Sequence, residues 1–179
     1  MATKKDLLQA FSKMEAERKT VIETLSKNEV VLLDKKPDPN SWSVTEVIMH
    51  LVAAETGALK YMQKKLEFGG HQKAGIGAAF KQRLLNFAIS IPGLKFKAPK
   101  VAQIQEGSTI SFNEAAAQWE NVRSELQKQY EAFDDSLVDS ELFKHPAAGK
   151  LSALQSVRFM RQHMNRHIKQ MNQTIERVA

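Results

Sequence analysis

Three helix starts can be located in this chain because a serine stands three residues before a glutamate or glutamine. These capping boxes are Ser43 with Glu46, Ser111 with Glu114, and Ser152 with Gln155. In such a box the serine hydroxyl accepts a hydrogen bond from the first turn, and the longer side chain accepts one from the serine N–H. Apolar residues at helical spacing follow each box. The sequence therefore predicts three long helices that begin at these serines.

A further long helix is predicted over residues 4–27, where apolar residues recur at helical spacing. These residues are Leu7, Leu8, Phe11, Met14, Val21, Ile22 and Leu25. Pro37 and Pro39 then forbid helix and favour extended chain before the box at Ser43. Gly69 and Gly70 end the helix that follows. No internal repeat and no convincing set of strands is found.

About forty residues separate the second long helix from the third, which is too many for a tight turn. Residues 72–89 are predicted to form an extra helix there, ended by Pro92 and Gly93. The predicted fold is all-α, a four-helix bundle with one long crossover and this extra helix between helices 2 and 3. Such a crossover can join neighbouring helices that run parallel. We expect a single domain over residues 1–179.

Composition restricts the chemistry more than the fold. The chain has 179 residues, of which 26% are charged and 42% hydrophobic, as is ordinary for one folded domain. It has no cysteine, so disulfides, thiolate ligands and a cysteine nucleophile are excluded. No apolar run is long enough to span a membrane, and residues 1–13 do not resemble a secretory signal. We therefore expect a cytoplasmic protein with no membrane partner.

The net charge of +6 is concentrated in one segment. Residues 60–100 carry nine Lys or Arg against a single acid, Glu67. A basic segment can attract nucleic acid, but here the basic residues are scattered and aromatic residues are not interleaved for stacking on bases. We favour a solvated basic connection near an acidic helix of the same fold, and we expect no nucleic-acid partner.

His163 and His167 lie four residues apart in the last predicted helix, so their side chains share one face, one turn apart. Two imidazoles with this spacing can hold one metal ion. A third histidine, His50, borders the apolar face of the second helix. Three imidazoles from two helices would form a metal site with room for water or substrate. The same histidines could instead form a metal-free, hydrogen-bonded polar cluster.

The remaining candidates are weaker. We expect His145 to lie in a loop, and His71 follows a diglycine without belonging to a motif. No catalytic acid or base is identified. Glu55 is expected at the surface, and Glu46 is committed to its capping box. Gln170 would point either into the pocket or towards a helix contact.

The order of these motifs resembles the DinB-like superfamily. Trp42, Ser43, Glu46 and His50 match its "WSxxEvxxHl" signature. The second half of the pattern is matched by His145-Pro146, Gly149-Lys150-Leu151-Ser152, Gln155, Phe159 and His163-x-x-Arg166-His167-x-x-Gln170, and the loop Phe96-Lys97-Ala98-Pro99 is also similar. The resemblance covers nearly the whole chain, with the motifs in the family's order.

This resemblance implies an up-down-down-up four-helix bundle with a divalent metal ion, zinc or nickel, in an open pocket at one side. Carried onto this sequence, the implied metal ligands are His50, His163 and His167. Relatives include metal-dependent transferases that act with low-molecular-weight thiols and some hydrolases, so both reactions stay open. Without cysteine in the chain, any thiol would be external.

A different class of function also stays open, a non-catalytic helical bundle that binds a small ligand or a partner. In that case a metal ion would only stiffen the helices. Bundles of this kind often pair through an exposed helix face, so a homodimer is one of the expected oligomeric states.

Overall fold

The computed structural model describes residues 2–69, 110–145 and 149–179. These residues form helices α1 (Lys4–Leu25), α2 (Val30–Asp34), α3 (Val44–Phe68), α4 (Phe112–Glu131), α5 (Asp135–Val138) and α6 (Ala153–Val178), with strands β1 (Glu141–His145) and β2 (Gly149–Ser152). The long helices α1, α3, α4 and α6 are the four that the sequence predicts. The extra helix predicted over residues 72–89 lies outside the described residues.

The three predicted capping boxes start the helices where expected. Ser43, Ser111 and Ser152 each accept from the backbone N–H three residues later, and the partner side chain accepts from the serine N–H. Helix α1 begins with a fourth capping box, formed by Thr3 and Asp6, which the sequence analysis did not predict. Aspartate stands there in place of the usual glutamate or glutamine, so the pattern is less recognisable.

Helices α1 and α6 run in the same direction. Ala10 of α1 and Val157 of α6 line one groove, and further along both helices Val21 and Ile168 line another. The residue numbers therefore rise together on the two helices. Shallow grooves remain between them on the outer face of the bundle.

Helix α4 runs opposite to α1. Phe11 packs edge-on against Tyr130 with ring centroids 5.5 Å apart, whereas Arg18, two turns later in α1, pairs with Glu120, ten residues before Tyr130 in α4. Numbers rise on one helix as they fall on the other, so α1 and α4 are antiparallel.

Helix α3 runs opposite to α6. Lys35, ahead of α3, donates to the backbone oxygen of Val178 at the end of α6, while His50 inside α3 meets His163 in the middle of α6. With α1 parallel to α6 and antiparallel to α4, the directions are up-down-down-up, as the sequence resemblance implied. The two parallel neighbours α3 and α4 are the helices that the long crossover joins.

Apolar side chains from all four long helices fill the centre of the bundle. Fully buried members include Leu7, Met14, Ile48, Leu51, Trp119, Leu126, Val157 and Met164. Within the described ranges, none of the helices is both long and apolar enough to cross a membrane.

Two short strands precede α6, and the sequence reading did not anticipate them. Strand β1 pairs antiparallel with β2, with His145 opposite Gly149 and an irregularity between Glu141 and Phe143. The expectation that His145 lies in a loop is therefore wrong, because its backbone forms the last residue of strand β1. The strands have five and four residues, which is too short for a clear alternating pattern. Strand β2 ends at Ser152, which is also the N-cap of α6.

Candidate metal centre

The three histidines singled out in the sequence gather between α3 and α6. His50 Nε2 lies 3.4 Å from His163 Nε2, and His163 Nε2 lies 3.1 Å from His167 Nε2. One ring nitrogen from each residue lies within 4.8 Å of the other two. His50 and His167 are buried, with 5% and 8% of their surfaces exposed, while His163 is half-buried. His163 is therefore the most exposed of the three.

The spacing of these nitrogens suits a single metal ion. Two imidazole nitrogens bound at about 2.0–2.1 Å to one tetrahedral ion lie roughly 3.3 Å apart. The observed separations of 3.1 and 3.4 Å fall on either side of that distance. Over the described parts of the chain, no second group of three histidine, cysteine or carboxylate residues brings its ligand atoms together in this way. The residues present therefore fit the metal that the sequence resemblance implies.

Gln170 orients one ring of the cluster. His167 Nδ1–H donates to Gln170 Oε1 at 2.9 Å, one turn further along α6. A proton held on Nδ1 leaves the Nε2 lone pair free and turned towards the other histidines. The sequence left two positions open for the Gln170 side chain, and the structure shows it in contact with a histidine of the cluster.

Aromatic rings support the other two imidazoles. Trp42 lies 5.0 Å from His50, and Phe159 stacks on His163 at 5.9 Å with the ring planes only 10° apart. Phe143 of the hairpin lies 6.1 Å from Phe159 and backs it in turn. The sequence analysis did not single out Phe143, because the strand that carries it was not predicted.

Burial keeps His167 neutral. Removal from water is the main cause that lowers the pKa of His167 from 6.5 to about 4, and the nearby His50 acts in the same direction. The hydrogen bond to Gln170 acts in the opposite direction but is the weaker influence. At neutral pH the ring is therefore unprotonated, which is the form that can bind a metal ion.

Glu55 is buried, so the expectation that it lies at the surface is wrong. Only 2% of this residue is exposed, and its carboxylate accepts from Arg123 Nε at 2.6 Å and Nη2 at 2.7 Å. Five residues after His50, its side chain turns towards α4 and away from the histidines. The partner Arg123 is 68 residues away in the chain. Local sequence therefore could not indicate that the carboxylate is paired with a buried guanidinium.

Fold and site together define a class of protein, a mostly helical bundle with three convergent histidines between α3 and α6 that could hold a metal ion. The family model of the DinB superfamily matches residues 6–171. The chain therefore belongs to the DinB superfamily, which confirms the resemblance seen in its motifs. Neither a curated protein nor a solved structure matches the chain.

We predict that the metal-free protein loses stability as the pH falls from about 6.5 to about 4. The pKa of His167 is about 4 in the folded protein against an ordinary value of 6.5, so the unfolded chain binds the proton first. The free energy of unfolding is therefore highest above pH 6.5 and falls until the pH approaches 4, where the folded protein binds the proton as well. Denaturant unfolding in the presence of a chelator, repeated across this range, measures the free energy of unfolding.

The His167→Gln variant is the control for this titration, because it keeps a polar side chain but cannot bind the proton. Its free energy of unfolding should change less steeply over the same pH range. Equal slopes for the two proteins would show that His167 does not have the lowered pKa described above.

Proposed function

We propose that this chain binds one divalent metal ion through His50, His163 and His167 and uses it in an enzymatic reaction. The observation that carries the proposal is the convergence of three ring nitrogens from two helices within 4.8 Å. Imidazole ligands suit zinc and nickel, and we propose one of these as the ion. Three neutral ligands keep its full charge and leave a fourth position open.

When bound, such an ion supplies a Lewis acid that lowers the pKa of a coordinated water or binds a thiol as thiolate. The chain would then be either a metal-dependent hydrolase or a metal-dependent transferase that uses an external low-molecular-weight thiol. The protein side chains have supporting roles. Gln170 holds the proton of His167 at Nδ1, while Trp42 and Phe159 shield His50 and His163 from water.

The state of the nearby carboxylates favours the thiol transferase. Glu46 accepts from the Ser43 N–H and pairs with Lys36 at 2.7 Å, and Glu55 is paired with Arg123. Both carboxylates have other partners and are poorly suited to act as the general base for a water molecule. Before either molecule binds the metal, a thiol with an ordinary pKa of about 8.5 loses its proton far more readily than water does.

We predict that the protein, purified without a histidine tag, contains about one equivalent of zinc or nickel. The His163→Ala variant should lose this metal, because it removes an imidazole whose Nε2 lies 3.4 Å from that of His50 and 3.1 Å from that of His167. Elemental analysis and titration with a chromophoric chelator measure content and affinity. His71→Ala is the matched control, since it removes a histidine that belongs to no motif. Equal metal content in wild type and His163→Ala would contradict the ligand assignment.

We predict that Gln170→Leu weakens metal binding by about tenfold or more, because loss of a hydrogen bond to a ligating histidine has effects of roughly 10–100-fold. Gln170→Glu should retain the affinity, since a carboxylate oxygen can accept the same Nδ1 proton. Lys169→Leu is the control, because Lys169 is the neighbouring residue and is exposed. Chelator competition compares the variants. Unchanged affinity in Gln170→Leu would show that the His167 ring is held by other contacts.

The thiol reaction is tested with metal-loaded protein, a set of small thiols and an electrophilic acceptor. We expect the free thiol to be consumed by wild type and not by the metal-depleted protein or His163→Ala. Hydrolysis of ester or amide substrates without consumption of thiol would support the hydrolase instead. Metal binding with neither activity across the substrate panel would favour a non-catalytic bundle that binds a ligand or partner.

A further inference from the structure

A second polar cluster lies in the core of the bundle, apart from the histidines. The side chains of Arg123 and Glu55 are 1% and 2% exposed and form a two-pronged ion pair, with nitrogen–oxygen distances of 2.6 and 2.7 Å. Trp119 Nε1 donates to the same carboxylate at 3.2 Å, and its ring lies beside the guanidinium. The charged groups of this pair are thus buried and hydrogen-bonded to each other.

The guanidinium of Arg123 contacts all of the other long helices. From α4 it reaches Glu55 on α3, Glu15 on α1 at 3.5 Å and the sulfur of Met164 on α6 at 3.5 Å. Arg18 pairs with Glu15 at 2.6 Å and continues the cluster towards the bundle surface. One side chain therefore relates the positions of four helices.

Such a pair is a poor source of net stability. Removing two charges from water costs about as much as their attraction returns, and apolar replacements of similar size are often equally stable. The planar fork of arginine does, however, accept a carboxylate only over a narrow range of distance and angle. The pair therefore constrains geometry more than it stabilises the fold.

The constrained helices are the two that carry the histidines. Glu55 lies five residues after His50 on α3, and Met164 follows His163 directly on α6. Arg123 contacts both, so it relates the rotation and height of α3 to those of α6. A metal site tolerates a displacement of only about 0.5 Å in its ligands. A small slip between these helices would therefore separate His50 from the other two rings.

We propose that Arg123 and Glu55 are positioning residues that set α3 against α6 so that the three histidines converge. The consequence for metal affinity rests on the proposed function above. The convergence of the rings does not, because it can be measured in metal-free protein.

The test is the double variant Glu55→Leu/Arg123→Met, which replaces the pair by apolar side chains of similar size. We expect it to fold with a stability close to that of wild type but to lose the nuclear Overhauser effects between the rings of His50 and His163. Its metal affinity, measured by chelator competition, should fall at least tenfold. Arg123→Lys keeps the charge without the fork, and its affinity should lie between those of the double variant and wild type.

Leu126→Ala is the control, because it removes buried volume from the same helix while both side chains of the ion pair are retained. It should lower the stability yet leave the ring contacts and the metal affinity unchanged. If the double variant does not fold, Glu55→Gln keeps the size and polarity of the side chain and is judged by the same two measurements.

Wild-type ring contacts and wild-type metal affinity in the variant that lacks the pair would overturn the positioning role. Loss of affinity in Leu126→Ala to the same degree would also overturn it, since the effect would then follow stability alone. A wild-type protein that binds no metal would refute the proposed function, whereas the ring contacts would still decide the positioning role.

Discussion

The candidate site depends on how α3 packs against α6, because two histidines 113 residues apart must meet at hydrogen-bonding distance. Three groups of contacts hold this pair of helices. Lys35 links the segment ahead of α3 to the last turn of α6, and strand β1 of the hairpin contacts both helices. Between them, Arg123 reaches both helices from α4. The geometry of the histidines is thus a property of the whole bundle.

Two polar clusters lie in the described part of the interior, and they differ in how their buried polar groups are compensated for the loss of water. Glu55 and Arg123 form an ion pair in which each is the hydrogen-bond partner of the other. Burial away from water keeps His167 neutral and lowers its pKa to about 4, and the nearby His50 acts in the same direction. A neutral imidazole can be buried at modest cost and keeps a free lone pair. This difference explains why one cluster is suited to holding helices in place and the other to binding a cation.

Much of this arrangement could be predicted from local sequence. The capping boxes at Ser43, Ser111 and Ser152 located three helices, and helical spacing with the family resemblance pointed to the three histidines. The buried state of Glu55 could not be predicted, because it depends on a partner 68 residues away. The hairpin was missed because its strands are too short to show a period, and with it Phe143, which supports the ring stacked on His163. Local patterns therefore predicted elements and candidates, whereas the partners of those candidates are tertiary.

The central claim is that imidazoles from α3 and α6 bind one ion together. X-ray absorption at the metal edge of the loaded protein measures the number and type of ligands directly. The account predicts three imidazole nitrogens at about 2.0–2.1 Å, with one of them lost in His50→Ala. A spectrum with fewer than three imidazole nitrogens, or one that His50→Ala leaves unchanged, would contradict it.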